Sequence, residues 1–170
     1  DKMFAYCTNL IGVSTKLNGL QTDACTTMRS MFYQDIMLSV VPMFTSTSNV
    51  TDMGFMFWGC NDFDAFDCNY DMSKVTDIEG MFTNSTITSF TRNNGPLDFS
   101  SVTNATDAFK GCTSLNTVYG TCSEIPTLAA DAFRDLPSDF VIIVPMGKED
   151  EWREAWKQYA DHIIGYRPDE

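Results

Sequence analysis

Apolar residues recur along this chain in blocks of fixed shape rather than in an even alternation. A phenylalanine preceded by Met or Ala marks each block, at Met3-Phe4, Met31-Phe32, Met56-Phe57, Met81-Phe82, Ala108-Phe109 and Ala132-Phe133. The spacings between these anchors are 28, 25, 25, 27 and 24 residues. A period of ~20–29 residues is that of a leucine-rich-type solenoid. Seven residues before the anchor stand Cys25, Val50, Val75 and Val102, and four before it Met28, Met53, Ile78, Ala105 and Ala129. Slots at −7, −4 and 0 have helical spacing, so the pattern predicts a short helix with one apolar stripe in each repeat. Asp52 and Asp77 open two of these stretches, where a carboxylate suits exposed N–H groups.

The half-repeat after the anchor has its own phase. Cys7, Cys60 and Cys112 stand at +3, with Ser85 in the equivalent place. Leu10, Leu38, Phe63 and Leu115 follow at +6, and Val13, Val41, Phe66 and Val118 at +9. Residues 115–119 and 140–144 read as short strands. Each coil is thus expected to be a helical turn, a tight corner, a strand and a return loop. One coil cannot bury its own stripe, whereas stacked coils can, with their strands in a parallel sheet. The repeats are unequal: the first lacks its helix, residues 43–48 read as an added loop, and residues 92–96 as a turn-rich insertion. The pattern therefore predicts an α/β solenoid of about six irregular coils over residues 1–146.

Residues 147–170 break the pattern. Trp152, Trp156, Tyr159, Ala160 and Ile163 lie on one face of a helix expected over residues 148–164. A solenoid needs its open end covered, and this helix is expected to cap it within one overall domain.

Composition narrows the classes of function. The chain has 170 residues, 44% hydrophobic and 13% aromatic, enough for a core. Its formal charge is −12, which argues against nucleic acid and against an anionic membrane surface. No apolar run approaches the ~20 residues of a membrane helix. A chain that opens on Asp1 rather than Met fits removal of an N-terminal segment.

Candidate chemistry is sparse. Cys7, Cys60 and Cys112 share one slot in alternate coils. Two strand steps of ~4.8 Å put such neighbours about 9.5 Å apart, beyond the ~7 Å Cα limit of a disulfide. Free thiols are expected, with the pairing of Cys122 left open. Asn61, Asp62, Asp64, Asp67, Asn69 and Asp71 form an oxygen-rich run, but it has no EF-hand glycine or twelfth-position glutamate, so a solvated acidic face is expected over a calcium site. The sequons at Asn49, Asn84 and Asn104 coincide in two cases with the repeat motif itself. The one histidine, His162, falls on the capping segment and has no nucleophile nearby in sequence. The glycines stand singly at corners, without a phosphate loop, and nothing selects a carboxylate pair for glycoside hydrolysis. No catalytic residue, metal or cofactor is expected.

Residues 49–60 (NVTDMGFMFWGC) and their echo at 74–82 (KVTDIEGMF) resemble a repeat of bacterial surface proteins. Residues 108–115 (AFKGCTSL) are similar to the core of BspA-like leucine-rich repeats, and residues 140–147 (FVIIVPMG) to that family's closing segment. The resemblance implies a secreted or surface-anchored bacterial protein, in many members a lipoprotein whose N-terminal lipid lies outside a chain like this one. It implies adhesion to host or microbial proteins or glycans, and it carries no catalytic residue. Three functions stay open here. A recognition module should expose a contiguous apolar or aromatic patch along one face. A structural spacer should lack one. A carbohydrate-active enzyme should show a deep pocket with facing carboxylates. Strand alternation places Thr117 and Tyr119 outward, with Asp67 in the same phase of an earlier coil, and these three form the expected ligand contact set.

Overall fold

The computed structural model describes residues 2–3, 5–7, 20–62, 66–92, 98–120, 125 and 131–166. Phe4, Leu10, Val13, Phe63, Ala65, Cys122 and most of the expected insertion at 92–96 lie outside the described residues.

The half-repeat before each anchor is not a helix. It is a run of overlapping turns. The carbonyls of Met28, Met53, Ile78 and Ala105 accept from the N–H groups of Met31, Met56, Met81 and Ala108, at 3.0–3.2 Å. The anchors repeat the pattern: Phe32, Phe57, Phe82 and Phe109 accept from Asp35, Cys60, Ser85 and Cys112. The third residue of each such turn has positive φ: Ser30, Phe55, Gly80 and Asp107 in the first set, Gln34, Gly59, Asn84 and Gly111 in the second. Positive φ at that place is the signature of a type II turn, and at every fourth residue it excludes an α-helix. The −4 and 0 slots still share a face, which is why apolar spacing alone suggests a helix.

Alternate N–H groups are left free by these turns and point along the stack. Met28, Ser30, Phe32 and Gln34 donate to the carbonyls of Asp52, Gly54, Met56 and Trp58 in the following repeat, at 2.7–3.0 Å. Met53, Phe55, Phe57 and Gly59 donate in the same way to Asp77, Glu79, Met81 and Thr83. Ile78, Gly80, Phe82 and Asn84 donate to Asn104, Thr106, Ala108 and Lys110. Each turn run therefore satisfies half of its donors internally and half in its neighbour, as buried backbone requires.

Side chains reinforce this register. Thr27, Asp52, Asp77 and Asn104 form parallel bridges in one column. Each accepts the N–H two residues on through its own side-chain oxygen, to Arg29, Gly54, Glu79 and Thr106 respectively. The expected role of Asp52 and Asp77 at the start of the stretch is thus met in a turn rather than a helix. Arg29 binds Asp52 at 3.1 Å, Asp77 at 3.4 Å and Glu79, and so ties three successive repeats.

Beneath the turns, Phe32, Phe57, Phe82, Phe109 and Phe133 form one buried column. Successive ring centroids are 5.5, 5.8, 5.5 and 5.2 Å apart, with interplanar angles of 4–21°. The expected added loop at 43–48 is part of this core. Phe44 is buried against Phe32 and Tyr70, and the Tyr70 hydroxyl donates to the Pro42 carbonyl at 2.7 Å.

Strands line the opposite leg. β1 (Phe66–Cys68) pairs in parallel with β2 (Phe90–Arg92). β3 (Thr117–Tyr119), β4 (Val141–Pro145) and β5 (Ile163–Tyr166) form a second parallel sheet in that order. Among the described residues no helix is long and apolar enough to cross a membrane.

The C-terminal segment departs from the single helix expected over 148–164. α1 (Glu149–Ala155) ends after seven residues, a 3-10 helix follows (Lys157–His162), and the chain then enters β5. The cause is the last repeat. The anchor amides of Phe32, Phe57, Phe82 and Phe109 donate to carbonyls of the next repeat, and Phe133 has no next repeat. Its N–H donates instead to the Tyr159 hydroxyl at 3.1 Å. Trp156 and Tyr159 pack on the Phe133 ring at 6.0 and 5.1 Å and end the aromatic column. The His162 ring stacks on Phe140 at 4.0 Å, with Nδ1 3.0 Å from the Phe140 carbonyl oxygen. The aromatic stripe therefore covers the end of the stack, and a straight helix could not place both Tyr159 and β5.

Phe82→Ala removes a ring with partners on both sides. It should lower unfolding stability by about 3–5 kcal/mol, the cost of a large core truncation. Urea denaturation followed by tryptophan fluorescence checks this, and a loss under about 1 kcal/mol would contradict a continuous column.

Candidate functional site

The sheet β3–β4–β5 presents two faces of opposite character. Val118, Ile142, Val144 and Ile163 are buried. The alternate residues face outward in register, Thr117 beside Val141, Ile143 between Tyr119 and Ile164, and Pro145 beside Tyr166. Thr117, Tyr119, Val141, Ile143 and Pro145 are half-buried, while Ile164 and Tyr166 are 45% and 49% exposed. Strand side chains alternate by rule, so a buried inner row fixes an outer one. The outer row here is apolar and aromatic.

The sheet is rigidly supported. Gly120 follows β3 where a Cβ would stand 2.8 Å from the buried Trp152 ring, so only glycine admits this close approach. α1 lies along β5, with Arg153 Nη2 donating to the Ile163 carbonyl at 2.9 Å. The Glu149 carboxylate lies directly over Gly165. Arg153 thereby engages one carbonyl of β5, and Glu149 covers Gly165 on the inner face that it shares with buried Ile163.

Of the three expected contact residues, two fall on this face. Thr117 and Tyr119 lie two apart on β3, and the Thr117 hydroxyl donates to Asn116 Oδ1 at 3.1 Å. Asp67 does not join them: it lies on β1, in the other sheet, opposite Thr91 of β2. Ile164 and Tyr166 complete the face, which the pattern does not predict, because the aromatic stripe extends the expected helix through Ile164 and marks no element at Tyr166. Alternation in the run Ile163-Ile164-Gly165-Tyr166 was the available signal.

Several of the remaining candidates serve the fold, while Asp64 lies outside the described residues. Asn69 exchanges hydrogen bonds with the backbone of Phe44, and Asp71 accepts from the Ser73 amide. No group of three potential metal ligands occurs among the described residues. Asn49 bonds Asp23 and Lys74, and Asn104 bonds Asp77, so both are engaged in the stack. Cys7, Cys25, Cys60, Cys68 and Cys112 are free thiols. Burial pushes the Cys112 thiol up to about 11, against a hydroxyl and an amide of Ser85 that pull it down. Burial and then the charge of Asp35 push Cys60 well above the ordinary thiol range.

Asp35 departs from the repeat chemistry. It occupies the +3 slot that holds Cys7, Cys60, Ser85 and Cys112 in other repeats. It is fully buried. Oδ1 accepts the Cys7 amide at 2.6 Å, while Oδ2 has no hydrogen-bond partner. Burial pushes its carboxyl up to about 6, opposed by the Cys7 amide. It is sealed from solvent beside the Cys60 thiol.

A family model described as a Mycoplasma protein of unknown function, DUF285, matches residues 1–121. That span includes β1, β2 and β3, and stops before β4, α1 and β5. No curated protein and no solved structure matches the chain.

An acid whose folded pKa lies above its unfolded value destabilises the fold once it ionises. The Asp35 contribution is therefore harmless below about pH 4, grows as pH rises toward 6, and is constant above that. Asp35→Asn keeps the acceptor for the Cys7 amide. It should match the parent at pH 3.5 and exceed it by roughly 2–3 kcal/mol at pH 7.5. Urea titrations at the two pH values check this, and an equal difference at both would contradict it.

Proposed function

The chain belongs to the DUF285 family of Mycoplasma proteins of unknown function, and from that premise we propose that it is a recognition module displayed on a bacterial surface. In this reading the stacked turn runs and strands are successive coils of one leucine-rich-type solenoid of about six coils, closed by the Trp156–Tyr159 cap. The solenoid holds a binding face and performs no chemistry. Its ligand is a protein or glycan of a host or a neighbouring microbe. The resemblance of residues 49–82 and 108–115 to BspA-like repeats supports this class, as does the acidic charge of −12.

One observation carries the reading: the outward row Tyr119–Ile143–Ile164, continued by Tyr166, on a three-stranded parallel sheet. A spacer has no use for such a row, since exposed apolar patches carry a solubility cost without a partner. Tyrosine adds a large contact area at small entropic cost, which suits it to recognition. Thr117 supplies a hydroxyl at the margin of the same face. Asp67, on the other sheet, belongs to the contact set only for a ligand long enough to reach it.

Probing glycan and matrix-protein arrays with the folded chain tests this. Tyr119→Ala and Ile143→Ser should each weaken capture about tenfold or more, as central interface truncations do, with the melting temperature of Tyr119→Ala unchanged. Capture that neither variant alters, or an array on which nothing is captured, would overturn the reading.

A further inference from the structure

A buried carboxylate stands where the first three repeats meet, in a slot that elsewhere holds a hydrogen-bond donor. Cys60 donates its thiol to the Phe32 carbonyl at 3.2 Å, and Cys112 donates to the Phe82 carbonyl at 3.0 Å. An ionised carboxylate can only accept, whereas a protonated one has an O–H to give. Asp35 in that slot is 0% exposed, and its Oδ2 has no hydrogen-bond partner. From the first repeat it is faced by Cys7, whose amide donates to Oδ1 at 2.6 Å. From the third repeat it is faced by the Cys60 thiol. No cation is paired with it among the described residues. Little else described holds residues 2–7 to the second repeat. The Lys2 and Tyr6 amides donate to the Arg29 and Tyr33 carbonyls at 3.3 and 2.8 Å, and the Tyr6 and Tyr33 rings meet at 5.5 Å. Met3 and Tyr6 are 64% and 59% exposed. A segment with so little buried apolar surface opens locally more readily than the whole fold unfolds.

We infer that Asp35 is a pH-sensitive latch on the first junction of the stack. Protonated, it lets residues 5–7 rest against the second repeat; ionised, it releases them so that its carboxylate reaches water. A buried, unpaired charge is costly, and lifting residues 5–7 away is the nearest route to solvent. The Cys7 amide favours the ionised form and opposes release, but burial outweighs it and holds the closed carboxyl at about 6. In the open form the carboxyl returns to the ordinary range near 4. The open population is therefore level below about pH 4, rises about tenfold per pH unit up to pH 6, and is level above that, about a hundredfold in all. Acid closes this junction and neutral medium loosens it. The inference concerns one junction rather than the stability of the whole stack, and it does not rest on the recognition reading.

Amide hydrogen exchange of the whole chain between pH 3.5 and 7.5, corrected for the intrinsic effect of pH on exchange, tests this. Protection at Tyr6 and Cys7 should fall about a hundredfold across the range, mostly between pH 4 and 6. Release is local, so exchange at Cys7 should be unmoved by low urea, whereas that of Phe82, deep in the stack, should rise with it. Asp35→Asn keeps the shape and the acceptor without the charge, and its Cys7 protection should vary less than about threefold with pH. Asp35→Ser, which places a serine where Ser85 stands in its own repeat, should be equally level. The amide spectra report whether each variant is folded. A Cys7 protection level with pH in the parent chain would overturn the latch. So would a fall that persists in either folded variant. Equal protection and equal urea response at Cys7 and Phe82 would make the opening global and overturn it too. Should neither variant fold, the pH and urea series of the parent chain decide alone.

Discussion

Every level of this molecule depends on how the turn runs divide their backbone donors. Half of the N–H groups close turns within a repeat and half reach the next repeat, so no repeat is satisfied alone. That division demands a left-handed residue at two places in each run, and it holds adjacent repeats at a spacing the phenylalanine rings can fill. The aromatic column, the Asp52–Asp77–Asn104 ladder and the Arg29 bridge all follow from the same register. Surface ion pairs contribute little individually, at about 0–1 kcal/mol, so Arg29 fixes alignment more than it stabilises.

The same constraint explains the C-terminal segment and, through it, the outer face of the second sheet. A stack that passes donors forward must end in an acceptor that is not another repeat. Tyr159 supplies it as a hydroxyl, and the turn needed to place that hydroxyl breaks the helix and sends the chain into β5. β5 widens the sheet to three strands and brings Ile164 beside Ile143 and Tyr166 beside Pro145. The cap and the face are therefore one construction. The family match takes in the turn runs and β3 and stops before β4, α1 and β5.

Much of this was legible in the sequence. The burial of the anchors Phe32 to Phe133, a strand within 115–119 and the burial of Trp156 follow from apolar spacing. The turn runs do not, because slots at −4 and 0 share a face in a helix and in overlapping turns alike. Backbone φ separates the two, and its sequence trace is faint. Gly59, Gly80 and Gly111 mark left-handed places, yet Phe55, Gln34 and Asp107 occupy equivalent ones. Half of the face was legible for a similar reason. Alternation within β3 exposed Thr117 and Tyr119, whereas Asp67 shares only their phase and not their sheet. Asp35 escaped notice because a carboxylate in a loop reads as solvated, and only the stack shows it buried in a slot built for a thiol.

Amide hydrogen exchange is the most direct test that the stack is a single ladder closed by Tyr159. The amides of Phe57, Phe82, Phe109 and Phe133 should show comparable strong protection. In Tyr159→Phe, Phe133 should lose protection by at least tenfold while Phe57 keeps its own. A Phe133 amide that exchanges freely in the parent chain, or that is unmoved by the loss of the hydroxyl, would contradict the ladder and the face built on its end.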